Sequence, residues 1–516
     1  MTGKAPFGRV LRRTRAANHR PLAEVGSIAL LLTTLATTGC NAFTGLEDLE
    51  ALTGAGGTAD PGAVLVAADG VTITRVDIYQ GPQIPLFGGP TFDIDLPVIV
   101  EREAVFRIYY KTTGDVAGNA VTARVTIGED VTETPATLVE GTSTEGSLQS
   151  TINVTVPGEA LKASSYRIDL LQPRAESSGT NKAASYPEGD AEAQEDMTVT
   201  NTGSTLKLKL IPVQYDADGS GRLPDTSEGQ LQIYRNALYR MYPIPEVEVT
   251  VGDPFPWDVP IGPGGGGWDQ LLDAIREHRA QSGAAPDEYY YGVFTPTETF
   301  GEFCGGGCTA GLGFVAGPGD GGMRAAIGVG FPGEGSAETC AHEVGHNHGR
   351  EHAPCGTFGS NDPEFPEDAA HVEAEIGRIA YDLVNGGIIP ATHKDFMSYC
   401  EPTFVSDHNY RKLAERMQQV SGFADYTPPP GFPSGDWGQV TLFSDGSLKR
   451  GATVKVSRPP TGVPRDVDVA THSGNQRVTG YFFPFDHLPG GILLYPPTEN
   501  VREVAFDWAG QRHVAK

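Results

Sequence analysis

Basic side chains are scarce in this 516-residue chain, where 38 Lys and Arg stand against 65 Asp and Glu for a net charge of −27. Setting residues 1–39 aside leaves 32 basic against 64 acidic side chains, or −32. Such a surface repels phosphate backbones, which disfavours nucleic-acid binding as the main activity. Long apolar runs are missing as well: past residue 36 no segment reaches the roughly eighteen apolar residues of a membrane-spanning helix. Cysteine is sparse, at 6 in the whole chain. Five of these (Cys304, Cys308, Cys340, Cys355 and Cys400) cluster in one region. No internal repeat is visible. Gly (66) and Pro (39) make up about a fifth of the residues, short of the low-complexity range and in keeping with domains rich in loops and strands.

The N-terminus carries Lys4, Arg9, Arg12, Arg13, Arg15 and Arg20 ahead of a short apolar stretch, VGSIALLLTTLA, which runs into Thr-Thr-Gly-Cys40. A basic stretch followed by an apolar one too short to span a bilayer is an export signal. Gly39-Cys40 resembles the processing site of bacterial lipoproteins, although Thr37 stands where Leu is usual. That resemblance implies lipidation of Cys40 and anchoring to a membrane by the N-terminal lipid; the alternative is an ordinary secretory signal. Residues 1–39 are therefore expected to be removed, with 40–62 as a small, polar tether. Outside the cytoplasm cysteines can pair. The preferred arrangement is Cys304 with Cys308 and Cys355 with Cys400, leaving Cys340, although sequence alone does not choose among the pairings.

From 63 to 173 short alternating stretches such as VTITRVDIY, AVFRIYY and STINVTV are broken by Gly, Asp and Pro. This spacing predicts an immunoglobulin-like β-sandwich. Polar residues 174–199 read as a linker. Strands then alternate with helices. LKLKLIPV is followed by a Ser227–Gln230 capping box and an apolar helical face of Leu231, Tyr234, Leu238 and Met241; next come EVEVTVG, an amphipathic helix from Trp268, and EYYYGVF. The expectation is an α+β domain over 200–426, with helices on a mixed, mostly parallel sheet. After the Pro-rich segment near 428 the alternation returns, predicting a small β-domain over 436–516.

Residues 340–355, CAHEVGHNHGREHAPC, contain H-E-x-x-H-x-x-G-x-x-H. On a helix His342 and His346 lie about 40° apart around the axis, one turn above the other, so both imidazoles can reach one ion. Glu343 flanks them. Gly349 can adopt positive φ and end the helix, letting the chain turn back and present His352 as a third ligand. Three nitrogens leave one zinc position open, the mark of a catalytic site. His348 is about 200° round from His346 and is expected to face solvent. If the third ligand were instead a carboxylate from a later helix, Glu373 in AAHVEAEIGRIAY would supply it, as in thermolysin-like enzymes.

This string, followed by DFMSYC, resembles the metzincin zinc endopeptidases in both motifs and in their order. The resemblance implies His342, His346 and His352 as zinc ligands and Glu343 as general base. It places Met397 beneath the metal and Tyr399 near the metal or the oxyanion of the reaction. The implied partner is an extracellular protein or peptide substrate, cut by an exported, lipid-anchored zinc endopeptidase. A surface-binding lipoprotein with an inactive, metal-holding fold of the same type is the alternative. GLGFVAG, upstream, reads as an ordinary strand or as an edge strand that pairs with substrate. A candidate calcium loop places Asp216, Asp218 and Ser220 at ligand positions of DADGSGRLPDTSE, but the bidentate Glu is missing and an Asx-turn accounts for the same residues.

Overall fold

Alternate residues of Val71–Tyr79 (β1) and Ala104–Thr112 (β2) are apolar, so one face of this antiparallel pair buries Val76, Ile78, Phe106 and Ile108. Gln83–Phe87 and Ile152–Val156 flank the pair. Ala120–Ile127 (β3) and Ser165–Pro173 (β4) form the centre of a second antiparallel sheet, which contributes Val125, Ile127, Ile168 and Leu170 to the same core. This is a computed structural model, and it describes residues 64–203, 205–357, 361–421 and 429–516. The export signal, Cys40 and the tether lie outside those residues. Among the described residues no helix is long and apolar enough to cross a membrane.

The sandwich core continues into the next part of the chain. Thr205–Tyr215 (β5) adds Leu206, Leu208 and Leu210, and the helix Glu228–Met241 (α1) adds Leu231, Tyr234 and Leu238. Ser227 caps α1 by accepting the Gln230 N–H, but the Gln230 side chain does not close the expected box. It donates to Gly333 O at 3.1 Å and accepts from Gly333 N at 2.9 Å, tying α1 to the start of another helix. Buried Arg102 donates to Gln80 O (3.1 Å) in the sandwich, and to Ile244 O and Tyr239 O beyond it.

Around β5 the pairing is parallel, with Glu246–Val251 (β6) on one side and Glu288–Phe294 (β7) on the other. The helix Trp268–Gln281 (α2) lies between β6 and β7 in sequence and buries Trp268, Leu271, Leu272 and Ile275. The sheet ends with Gly311–Gly313 (β8), antiparallel to Ala325–Val329 (β9). Two further helices complete this part: Glu334–Asn347 (α3), tied through Gly333 to α1, and Asp407–Ser421 (α4).

Gly435–Leu442 (β10), Gly474–Pro484 (β11) and Gly491–Tyr495 (β12) belong to an eight-stranded antiparallel sheet whose terminal strands touch, so that it is nearly closed into a barrel. One face has its own core of Val440, Val467, Phe482 and Phe506. Trp437, Phe483, Phe485, Ile492 and Leu494 point instead into a core shared with α2, β7 and β9.

The expected fold class, an α+β catalytic domain on a mostly parallel sheet between two all-β domains, is corrected by this architecture. Strand accounts for 38% and helix for 17% of the described residues, and antiparallel sheets, one of them nearly barrel-like, dominate. Helix-period reading also fails at 369–381. Glu373 and Ala374 take φ of 51° and 62°, and Glu375 pairs with Lys394, so the segment makes a single 3₁₀ turn and then extended chain. Ala374, Ile376 and Ala380 are buried while Val372 is exposed, so the burial does not follow a helical face.

Candidate metal centre

Three features start and stop α3. It begins after Gly333, which is held by Gln230. It ends at His348 and Gly349, where φ is 78° and the Gly349 and Arg350 N–H groups donate to His346 O and Gly345 O. A Cβ on Gly349 would meet Ala316 O at 3.0 Å, so both conformation and space favour glycine there. The reversal brings His352 back beside His342 and His346, with ring centroids 5.3 and 4.8 Å away.

Backbone carbonyls fix the tautomers of the two helical rings. His342 Nδ1–H donates to Phe396 O (2.9 Å) and His346 Nδ1–H to Arg350 O (2.7 Å). Each Nε2 lone pair is thereby aimed inward, as metal-binding histidines require. Both Nε2 atoms are buried, that of His342 without a hydrogen-bond partner and that of His346 beside Asp486. Burial holds His342 well below the usual histidine range and His352 down at about 3, so both are neutral and able to ligate. Among the described residues, His342, His346, His352 and His487 form a group able to hold a metal ion, with one ligand atom from each within 4.8 Å of the others.

Glu343 lies against β8. A Cβ on Gly311 would come within 2.3 Å of its Oε1, so the carboxylate occupies space that only glycine leaves. Burial pushes Glu343 up to about 7, against the pull of His346 and His487. The Tyr399 hydroxyl is 3.2 Å from His352 Nε2 and is shared with the His487 ring. Met397 is fully buried beneath α3, so close to Gly345 that a Cβ there would lie 2.5 Å from its Sδ. The turn carrying Met397 and Tyr399 is held by buried Asp395, which accepts from Met397 N (2.7 Å), Ser406 N (2.9 Å) and Asn409 Nδ2 (2.8 Å). A cleft of about 830 Å³ opens beside these groups, lined by His342, Glu343, Thr309, Tyr399 and Leu488.

Disulfides join Cys304 to Cys308 and Cys355 to Cys400, leaving Cys340 free and buried in α3. The second ties the segment after His352 to the Tyr399 turn, and the pair points to an oxidising, extracytoplasmic setting. Other expectations fail. His348 is not exposed: its Nδ1–H donates to Val344 O (2.8 Å) and its ring stacks on Tyr289 at 4.4 Å, because the helix ends against the sheet. Glu373 is solvent-exposed beside Lys394, 3.9 Å away, and takes no part in the centre. In the candidate calcium loop the Asp218 carboxylate pairs with Arg222 and accepts from the Ser220 hydroxyl (2.6 Å), while the Ser220 hydroxyl also lies 3.3 Å from Tyr215 O. The Asp218 side chain also accepts from Ser220 N (3.1 Å), the Asx-turn that was the alternative to calcium for this loop.

Asp486 and His487, at the tip between β11 and β12, carry no motif in sequence. Asp486 Oδ2 approaches His346 Nε2 to 3.0 Å and His352 Nε2 to 3.3 Å. Burial opposes a charge on His346, but Asp486 outweighs it and lifts the ring to about 9. Only the Pro-Gly-Gly that follows hinted at a turn there. A comparison of the chain with protein-family models finds no match, and neither does one with curated proteins.

Proposed function

We propose that this chain is an exported, lipid-anchored zinc endopeptidase acting on extracellular proteins or peptides. One observation carries the reading: His342, His346, His352 and His487 each place a ring nitrogen within 4.8 Å of the others, with the Glu343 carboxylate beside them at the wall of an open cleft. The donor set suits zinc, being nitrogen-rich with tautomers fixed from behind. The order of the two motifs, which resembles that of metzincins, supports the same assignment.

When bound, zinc supplies Lewis-acid polarisation of a carbonyl and lowers the pKa of water from 15.7 to about 7. His342, His346 and His352 would hold the ion. Glu343, raised to about 7 by burial, is matched to accept a proton from the attacking water near neutral pH and to return it to the leaving amine. Tyr399 donates its hydroxyl proton toward the oxyanion that develops on the carbonyl. The edge strand β8 offers main-chain groups to an extended substrate.

A second reading, a metal-holding surface-binding protein without turnover, is favoured by the nearness of Asp486 to His346 and His352. Cleavage of a denatured-protein or peptide library by zinc-loaded wild type and Glu343→Ala separates the two. Turnover that Glu343→Ala abolishes supports the peptidase, whereas absence in wild type and also in zinc-loaded Asp486→Ala supports the binding protein. Metal analysis tests the ligands. His342→Ala, His346→Ala and His352→Ala should each lose zinc while Glu373→Ala keeps it, and the reverse for His352 and Glu373 overturns the assignment.

A further inference from the structure

The tip between β11 and β12 comes from a different sheet than any other residue at the centre. Its Asp486 Oδ2 is buried 3.0 Å from His346 Nε2, 3.3 Å from His352 Nε2 and 2.7 Å from His487 Nε2. Two ligands held at about 2.0–2.1 Å on a tetrahedral ion are themselves roughly 3.3 Å apart. The separations of Asp486 from His346 and His352, 3.0 and 3.3 Å, are ion-pair distances in the metal-free chain and are also close to the spacing of ligands around one ion.

The same tip follows the sheet edge. Phe485 forms an antiparallel bridge with Phe314, directly after β8, whose other side is taken by β9. That is where an extended peptide would add to the sheet. Leu488 reaches across the cleft to Gly265, where a Cβ would lie 2.5 Å from its Cδ2, so the Gly-rich loop leaves room for this one side chain. Phe485 is buried and anchors the tip, and Gly490 and Gly491, with φ of 102° and 150°, close the turn against Leu442 and Phe483 where a Cβ would collide with backbone oxygens. Glu343 Oε2, buried and unbonded beside this arrangement, has no task while Asp486 fills the fourth position.

We propose that Asp486 is a displaceable fourth ligand of the metal and that residues 485–488 lie in the path of an extended substrate, so that the C-terminal β-sheet holds the centre latent until the tip withdraws. The inference rests on the peptidase reading for the meaning of latency, but ligation by Asp486 is measurable without any turnover.

The test uses the full chain loaded with cobalt(II), its visible d–d spectrum, and the affinity of acetohydroxamate for the bound cobalt. Asp486→Ala and Asp486→Asn should change the spectrum and bind acetohydroxamate about tenfold or more tighter than wild type, because the competing internal ligand is gone. Leu488→Ala keeps the carboxylate but loosens the tip, and should tighten acetohydroxamate binding by a smaller factor. Should both Asp486 variants fail to fold, this variant alone decides, with unchanged affinity overturning the proposal. A wild-type spectrum and wild-type acetohydroxamate affinity in folded, cobalt-loaded Asp486→Ala overturn ligation by Asp486 and leave the peptidase reading untouched. A changed spectrum with no peptide cleavage by wild type or variant supports ligation and counts against the peptidase. A chain that takes up no cobalt overturns both.

Discussion

Gly345 sits between the first two histidines with Met397 Sδ pressed against it, 2.5 Å from where a Cβ would be. A methyl there must displace either the sulfur or α3, and overpacking a tight core contact costs about 1–3 kcal/mol. Gly345→Ala should lower stability by that amount in urea unfolding, and Met397→Ala in the same chain should recover part of the loss by vacating the space. His371 is a second residue with a measurable signature. Burial alone would lower its pKa, but its bonds to Asp407 and Asp368, each 2.8 Å, outweigh burial and raise it. A raised pKa in the folded state gives stability that is complete below the unfolded value of about 6.5 and is lost as pH climbs through the folded value. The loss of unfolding free energy caused by His371→Gln should therefore be larger at about pH 6 than at about pH 8.

Elements that depend on local spacing were readable before any coordinates. The His342/His346 spacing defines one face of α3, Gly349 ends it, and Ser227 starts α1, because each of these is decided within a turn of helix. The contributions of Asp486, Asp395 and Arg102 were not readable, since each acts on chain far away in sequence and no periodicity encodes such a contact. The 369–381 segment misled for a related reason: its apolar spacing fits a helix, but partners elsewhere, such as Lys394 opposite Glu375, bury it in extended form. The cysteine pair at 355 and 400 lies between these cases, being guessable from proximity but meaningful only once the turn it braces is seen. It closes a loop with a separation of 45 residues, which by chain entropy contributes about 4 kcal/mol. Tyr399 N donates to Cys355 O at 2.9 Å beside it. Replacing both cysteines by serine should lower the melting temperature and speed zinc release to a chelator, since His352 and Tyr399 would no longer be braced together. Replacing Cys304 and Cys308, which brace neither His352 nor Tyr399, should change the release rate less.

At the scale of the molecule, the sandwich, the helical region and the C-terminal sheet are not beads on a string. The described residues fall in one contact unit, and a single apolar cluster runs from Val71 and Phe106 through Leu208 and Leu238 to Val344 and Met397. Polar links reinforce the two junctions. Arg102 joins Gln80 to Tyr239 and Ile244, and Arg378 joins Asp407 to the carbonyls of Gln83 and Ile94. On the other side Lys449 pairs with Asp273 and Glu277 of α2. Because the α3 histidines rest on the same cluster as the sandwich, loosening one should loosen the other. Arg102→Ala leaves buried carbonyls on both sides without a donor, a loss of about 1–3 kcal/mol for each group left unsatisfied. Calorimetry of the wild type should show the three regions unfolding together, and Arg102→Ala should move that transition to lower temperature as a whole. If the sandwich were an independent accessory module, Arg102→Ala would split off a low-temperature transition and leave zinc retention at the centre unaltered up to the second one. Coupling through the shared core requires zinc release and sandwich unfolding to shift by the same number of degrees.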